Sequence, residues 1–82
     1  MRLHLTRTFQ KNFENLPEDV RARVKDALLK IRKNPSRGKR LQGQLKGEFS
    51  LRVGAYRIIY TLDDAGNIWI ETVRARKDAY RL

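Results

Sequence analysis

The apolar residues of this chain change their period once, and that change decides what it can fold into. Val20, Val24, Ala27, Leu28 and Ile31 recur at i, i+4, i+7, i+8 and i+11, the spacing of one helix face. From Glu48 the period is two. Phe49, Leu51 and Val53 alternate with Glu48, Ser50 and Arg52, and Tyr56, Ile58, Tyr60 and Leu62 alternate with Arg57, Ile59 and Thr61. A pattern written in one period does not hold in the other structure. Helices therefore fall in the first half and strands in the second, which is the arrangement of an α+β domain with two layers.

Local signals set the boundaries. Residues 2–6 place Leu3 and Leu5 among polar neighbours, as in a short strand. Phe9, Phe13 and Leu16 form the face of a short helix, with Thr6 or Thr8 as its cap. Pro17 opens a second helix, expected over about Glu18–Lys33, and Glu18 and Asp19 complement its positive end. Asn34-Pro35 stops it, and the two helices make a hairpin. Residues 34–47, with Pro35, Gly38, Gly43 and Gly47, read as a loop anchored by Leu41 and Leu45. Gly54-Ala55 reads as a turn or bulge, Asp63 to Asn67 as a hairpin loop, and Ile68 to Val73 as a third consecutive strand. The expected fold is thus an N-terminal strand and a helical hairpin packed on an antiparallel sheet, completed by a C-terminal meander of three strands. The first strand must pair within that sheet to satisfy its backbone. Residues 1–82 form one domain.

Charge narrows the partners. Lys and Arg number 19 against 9 Asp and Glu, a formal net charge of +10 on 82 residues. Such a field attracts polyanions, with nucleic acid or an acidic protein as the natural partners. The 40% hydrophobic share supports one small core, which separates the chain from disordered basic tails. Without Cys there is neither a disulfide nor a thiolate zinc site. No apolar run approaches the roughly 20 residues of a membrane span, and Met1 to Arg7 lack the core of a signal peptide. A cytoplasmic protein with no membrane association is expected.

Candidate chemistry rests on Arg and Tyr. His4 is the one histidine, between Leu3 and Leu5, and reads as an ordinary strand residue. Asp63 and Asp64 read as turn formers. Arg52 and Arg57 fall on adjacent strand segments, Arg74 and Arg76 end the last strand, and Tyr80 and Arg81 follow. Arginine grips phosphate with two donors and stays charged, while tyrosine offers a hydroxyl and a stacking face. Arg57 stands out because it lies within the apolar run Tyr56–Leu62, where a charge is costly unless it has a partner or lines a groove. An ion pair with Glu71 or Glu48 is the alternative reading. The basic run Lys30–Arg40 suits either a solvated helix end or a polyanion.

Leu51-Arg52-Val53-Gly54-Ala55-Tyr56-Arg57-Ile58-Ile59-Tyr60 resembles the LRxGxYRxxY core of RelE/ParE superfamily toxins. Leu41-Gln42-Gly43 resembles the L-x-G that precedes it, and Arg74 to Tyr80 the R-x-R-x-x-x-Y that follows. The resemblance implies a toxin of a type II toxin–antitoxin system. On the favoured RelE-like branch it is a ribosome-dependent mRNA endoribonuclease that inhibits translation without metal or cofactor. Its implied partners are an acidic RelB-like antitoxin, the ribosome and mRNA. Arg57, Arg74 and Tyr80 match the family's catalytic positions, and Arg52, Arg76, Lys46, Lys39, Arg40 and Arg81 are the expected substrate-binding cations. In one respect the chain departs from RelE: Glu48 and Ser50 stand where RelE members carry two lysines. Glu48 is then a candidate general base. The same departure admits a ParE-like toxin that binds DNA gyrase without nuclease activity, or a module that only pairs with an antitoxin.

Overall fold

The computed structural model describes residues 2–40 and 47–75. The order is β1 (Leu3–Leu5), α1 (Arg7–Glu14), α2 (Glu18–Lys33), a 3-10 turn (Pro35–Arg37), β2 (Lys39–Arg40), β3 (Glu48–Val53), β4 (Tyr56–Leu62) and β5 (Ile68–Ala75). The five strands make one sheet in the order β1-β5-β4-β3-β2.

Each helix begins where its signals stand. Thr6 caps α1 by accepting the Phe9 N–H on its Oγ1 at 3.0 Å. Pro17 precedes α2, whose first turn carries Glu18 and Asp19 and whose last turn carries Lys30, Arg32 and Lys33. These charges complement the helix dipole at both ends. Phe9 from α1 and Val24, Ala27 and Ile31 from α2 pack onto Phe49, Val53, Ile58, Tyr60, Ile68, Ile70 and Val73 of the sheet.

The expected meander is present, with β3 antiparallel to β4 and β4 antiparallel to β5. Two features refine the expectation. β1 enters the sheet parallel to β5, His4 opposite Trp69, so the sheet is mixed at that edge. Part of the segment read as loop is a 3-10 turn and a two-residue strand, with Lys39 opposite Ser50 and Arg40 opposite Phe49. The buried Tyr60 fixes this segment. Its hydroxyl donates to the Pro35 carbonyl at 2.7 Å and accepts the Gly38 N–H at 2.8 Å. The proposed anchors Leu41 and Leu45 lie outside the described residues.

Candidate active site

Alternation along each strand gives the sheet two faces. Leu51, Ile58 and Val73 are directly opposite one another and turn toward the helices. One step further, Arg52 of β3 faces Arg57 of β4, and Arg57 faces Arg74 of β5. Directly opposed residues share a face, so the three arginines form one cross-strand row on the side away from the core. Neighbouring strands are about 4.8 Å apart, which places the row within roughly 10 Å. Like charges directly opposite destabilise a sheet. Three in a row are an arrangement that folding alone does not call for.

The centre and flanks of the row differ. Arg57 is buried at 7% exposure, while Arg52 and Arg74 are exposed. The Arg57 guanidinium donates through Nη1 to Ser50 Oγ, and Ser50 is itself 2% exposed. A buried central cation of set direction with two solvated cations beside it suits a phosphate entering from solvent. A cleft of about 540 Å³ adjoins Arg74 and is lined by Asn12, Asn15, Leu16 and Tyr56 among others.

Ser50 and Glu48 lie two residues apart on the same face of β3. By turning toward Ser50, Arg57 leans toward Glu48. Partial burial raises the Glu48 pKa above the usual carboxylate value, and the negative charge of Glu71 raises it further. A carboxylate with a raised pKa takes protons more readily near neutrality, which is the property of a general base. Of the two positions where the chain departs from the RelE pattern, Ser50 meets Arg57's guanidinium and Glu48 lies one step further along the same face of β3.

Of the expected substrate-binding residues, Arg52 is in the row, and Lys39 and Arg40 lie in β2 at the far edge of the sheet. Tyr80, Arg76, Arg81 and Lys46 lie outside the described residues. Tyr60 packs in the core as its spacing indicated. Sequence reasoning missed Ser50 as the partner of Arg57. It also missed that His4 stacks on Trp69, with ring centroids 4.3 Å apart and planes 17° from parallel.

Comparison with known proteins agrees with this fold. Residues 3–80 match the family model described as the ParE toxin of the type II toxin–antitoxin system, parDE. Toxin RelG of Mycobacterium tuberculosis is 35% identical over 82 residues, covering 96% of this chain and 94% of that protein. Toxin RelE of the same organism is 32% identical, covering 95% and 84%. The toxin–antitoxin complex RelBE2 from Mycobacterium tuberculosis contains a chain that superposes with a TM-score of 0.83 at 32% identity, covering 92% of this chain and 96% of that one. The isolated RelE toxin of E. coli, at 19% identity, shares the fold with a TM-score of 0.77, over 90% of this chain and 82% of that one. The three-arginine row sits on the fold these toxins share, and the chain belongs to the RelE/ParE superfamily of type II toxin–antitoxin toxins.

Proposed function

We propose that this toxin is an endoribonuclease that cleaves mRNA on the ribosome. The observation that carries the reading is the Arg52–Arg57–Arg74 row with Arg57 held by Ser50. Cleavage by the RNA's own 2′-hydroxyl needs a base for that hydroxyl, a cationic cradle for the crowded phosphate, and a proton for the leaving 5′-oxygen. Glu48 serves as base. Arg57 and Arg74 hold the phosphate as its charge builds. Tyr80, assigned from the family pattern, stacks on or protonates the substrate. An acidic antitoxin covers the row and neutralises the toxin. The relatives solved as toxin–antitoxin complexes support that partner.

The test is cell-free translation followed by mapping of mRNA ends. Wild-type toxin is expected to cut message on ribosomes, and Arg57→Ala or Arg74→Ala to lose about 10²–10³-fold in rate, as for other transition-state charge donors. Intact message at saturating toxin overturns the reading. The family model's ParE description, together with Glu48 and Ser50 in place of lysines, motivates the second reading, inhibition of DNA gyrase. A supercoiling assay decides it: gyrase unaffected by excess toxin removes that alternative.

A further inference from the structure

The face of the sheet away from the helices carries a second feature that phosphate chemistry does not use. Trp69 is the sole tryptophan and is 37% exposed, yet it is held from two sides. Its ring stacks on His4 of the neighbouring strand. Its Nε1–H donates to Asp63 Oδ2 at 3.0 Å. Asp63 is fixed in turn, because its Oδ1 accepts the backbone N–H groups of Ala65 at 3.0 Å and Asn67 at 2.8 Å. An indole that is both exposed and immobilised has already lost the rotamer freedom that binding normally costs.

Register ties this aromatic pair to the arginine row. Trp69 is opposite Thr61, and Thr61 lies on the same face of β4 as Arg57, four residues away. Four residues of strand span about 13 Å. That reach fits a nucleic-acid strand with one phosphate at the arginines and a base a few bonds further along on the indole.

The polar groups also differ between the two ends. Cations stand at the row. At the other end Asp63 meets the indole itself. Carboxylates repel phosphate and accept hydrogen bonds from the exocyclic amino groups of bases. The aromatic end therefore suits a base, and the arginine end a phosphate.

We infer that the His4–Trp69 stack is a platform for an unpaired RNA base that holds the strand in register with the arginine row. The inference rests on the nuclease reading for the identity of the strand. Its test uses the single tryptophan of the wild-type protein. Titration with a 2′-O-methyl oligoribonucleotide, which lacks the attacking hydroxyl, is expected to quench Trp69 emission to saturation. An otherwise identical abasic oligomer is expected to bind about tenfold more weakly, the cost of one lost stack. Trp69→Ala is expected to weaken oligomer binding, read by anisotropy of a labelled strand, by the same factor, and Trp69→Phe to restore most of it.

Binding without quenching, equal affinity for the abasic oligomer, or no binding of the oligomer at all overturns the platform. So does a Trp69→Ala variant that loses affinity for the antitoxin and not for RNA, which makes the stack a protein contact. Failure of the nuclease reading is separately visible as intact message on ribosomes with the wild-type toxin.

Discussion

Arg57 carries opposing demands. A guanidinium taken out of water costs several kcal/mol unless hydrogen bonds replace its hydration, and Arg52 and Arg74 opposite it add repulsion. Ser50 contributes one of the replacing bonds from within the sheet. Ser50→Ala is therefore expected to lower stability by about 1–3 kcal/mol, measured by urea unfolding, because a charged buried donor loses its acceptor. Cleavage should fall with it, since the guanidinium is no longer aimed. A variant as stable and active as wild type would show that Ser50 does not position Arg57. Glu48 gives the pH dependence. As a base it acts when ionised, so the rate should rise with pH through its raised pKa, above the ordinary carboxylate range. Glu71→Gln removes the neighbouring negative charge and lowers that pKa, which moves the rising limb of the pH–rate profile to lower pH. Glu48→Gln should flatten the limb, and a limb unchanged in both variants removes Glu48 from the mechanism.

At the scale of elements, the segment after α2 depends on one side chain from the opposite half of the chain. Tyr60 is buried in β4 and ties the Pro35 carbonyl and the Gly38 N–H with its hydroxyl. Tyr60→Phe leaves both without that partner and should cost about 1–3 kcal/mol in unfolding experiments. Gly38→Ala tests the same contact from the other side. A Cβ there would stand 2.5 Å from the Tyr60 hydroxyl oxygen and 3.0 Å from the Ser50 carbonyl oxygen, so the loop must shift. Slowed or lost cleavage with a lowered melting temperature is expected, and a wild-type profile would show the segment to be loosely held. This contact also marks where the sequence stops being legible. α2 was readable to its ends because sixteen residues carry several full turns of one period plus charge signals at both termini. β3, β4 and the hairpin at Asp63 were readable from alternation and turn chemistry. β2 has two residues and no period to read, and β1 has three, too few to specify a parallel partner. The register shift between Ile59 and Tyr60 likewise has no local signal. Arg57 and Arg74 were legible as strand residues and by family pattern. Ser50 and the His4–Trp69 stack were not, because each is defined by a partner on another strand.

For the whole molecule the +10 charge has two consequences with one cause. It draws the toxin to polyanions, and it repels itself in the compact state. Among the described residues Arg23 pairs with Asp19 at 3.7 Å on the surface of α2, and such an exposed pair offsets little. Added salt screens the repulsion, so the melting temperature of the isolated toxin should rise between low and physiological ionic strength. An acidic antitoxin should do more, because it supplies fixed countercharge and binds only the folded toxin. At a free concentration one hundred times its Kd, mass action contributes about 2.7 kcal/mol. For a domain of this size that corresponds to a rise of roughly 10–20 °C in Tm. Calorimetry of the toxin alone and with antitoxin, at two salt concentrations, separates the effects. Salt should raise Tm for the free toxin and shrink the increment due to antitoxin, since the same ions screen both interactions. A Tm of the free toxin that falls with salt would mean that attractive pairs outweigh repulsion in the fold. An increment that ignores salt would mean that the antitoxin holds the toxin through apolar contacts, with the arginine row contributing little to its capture.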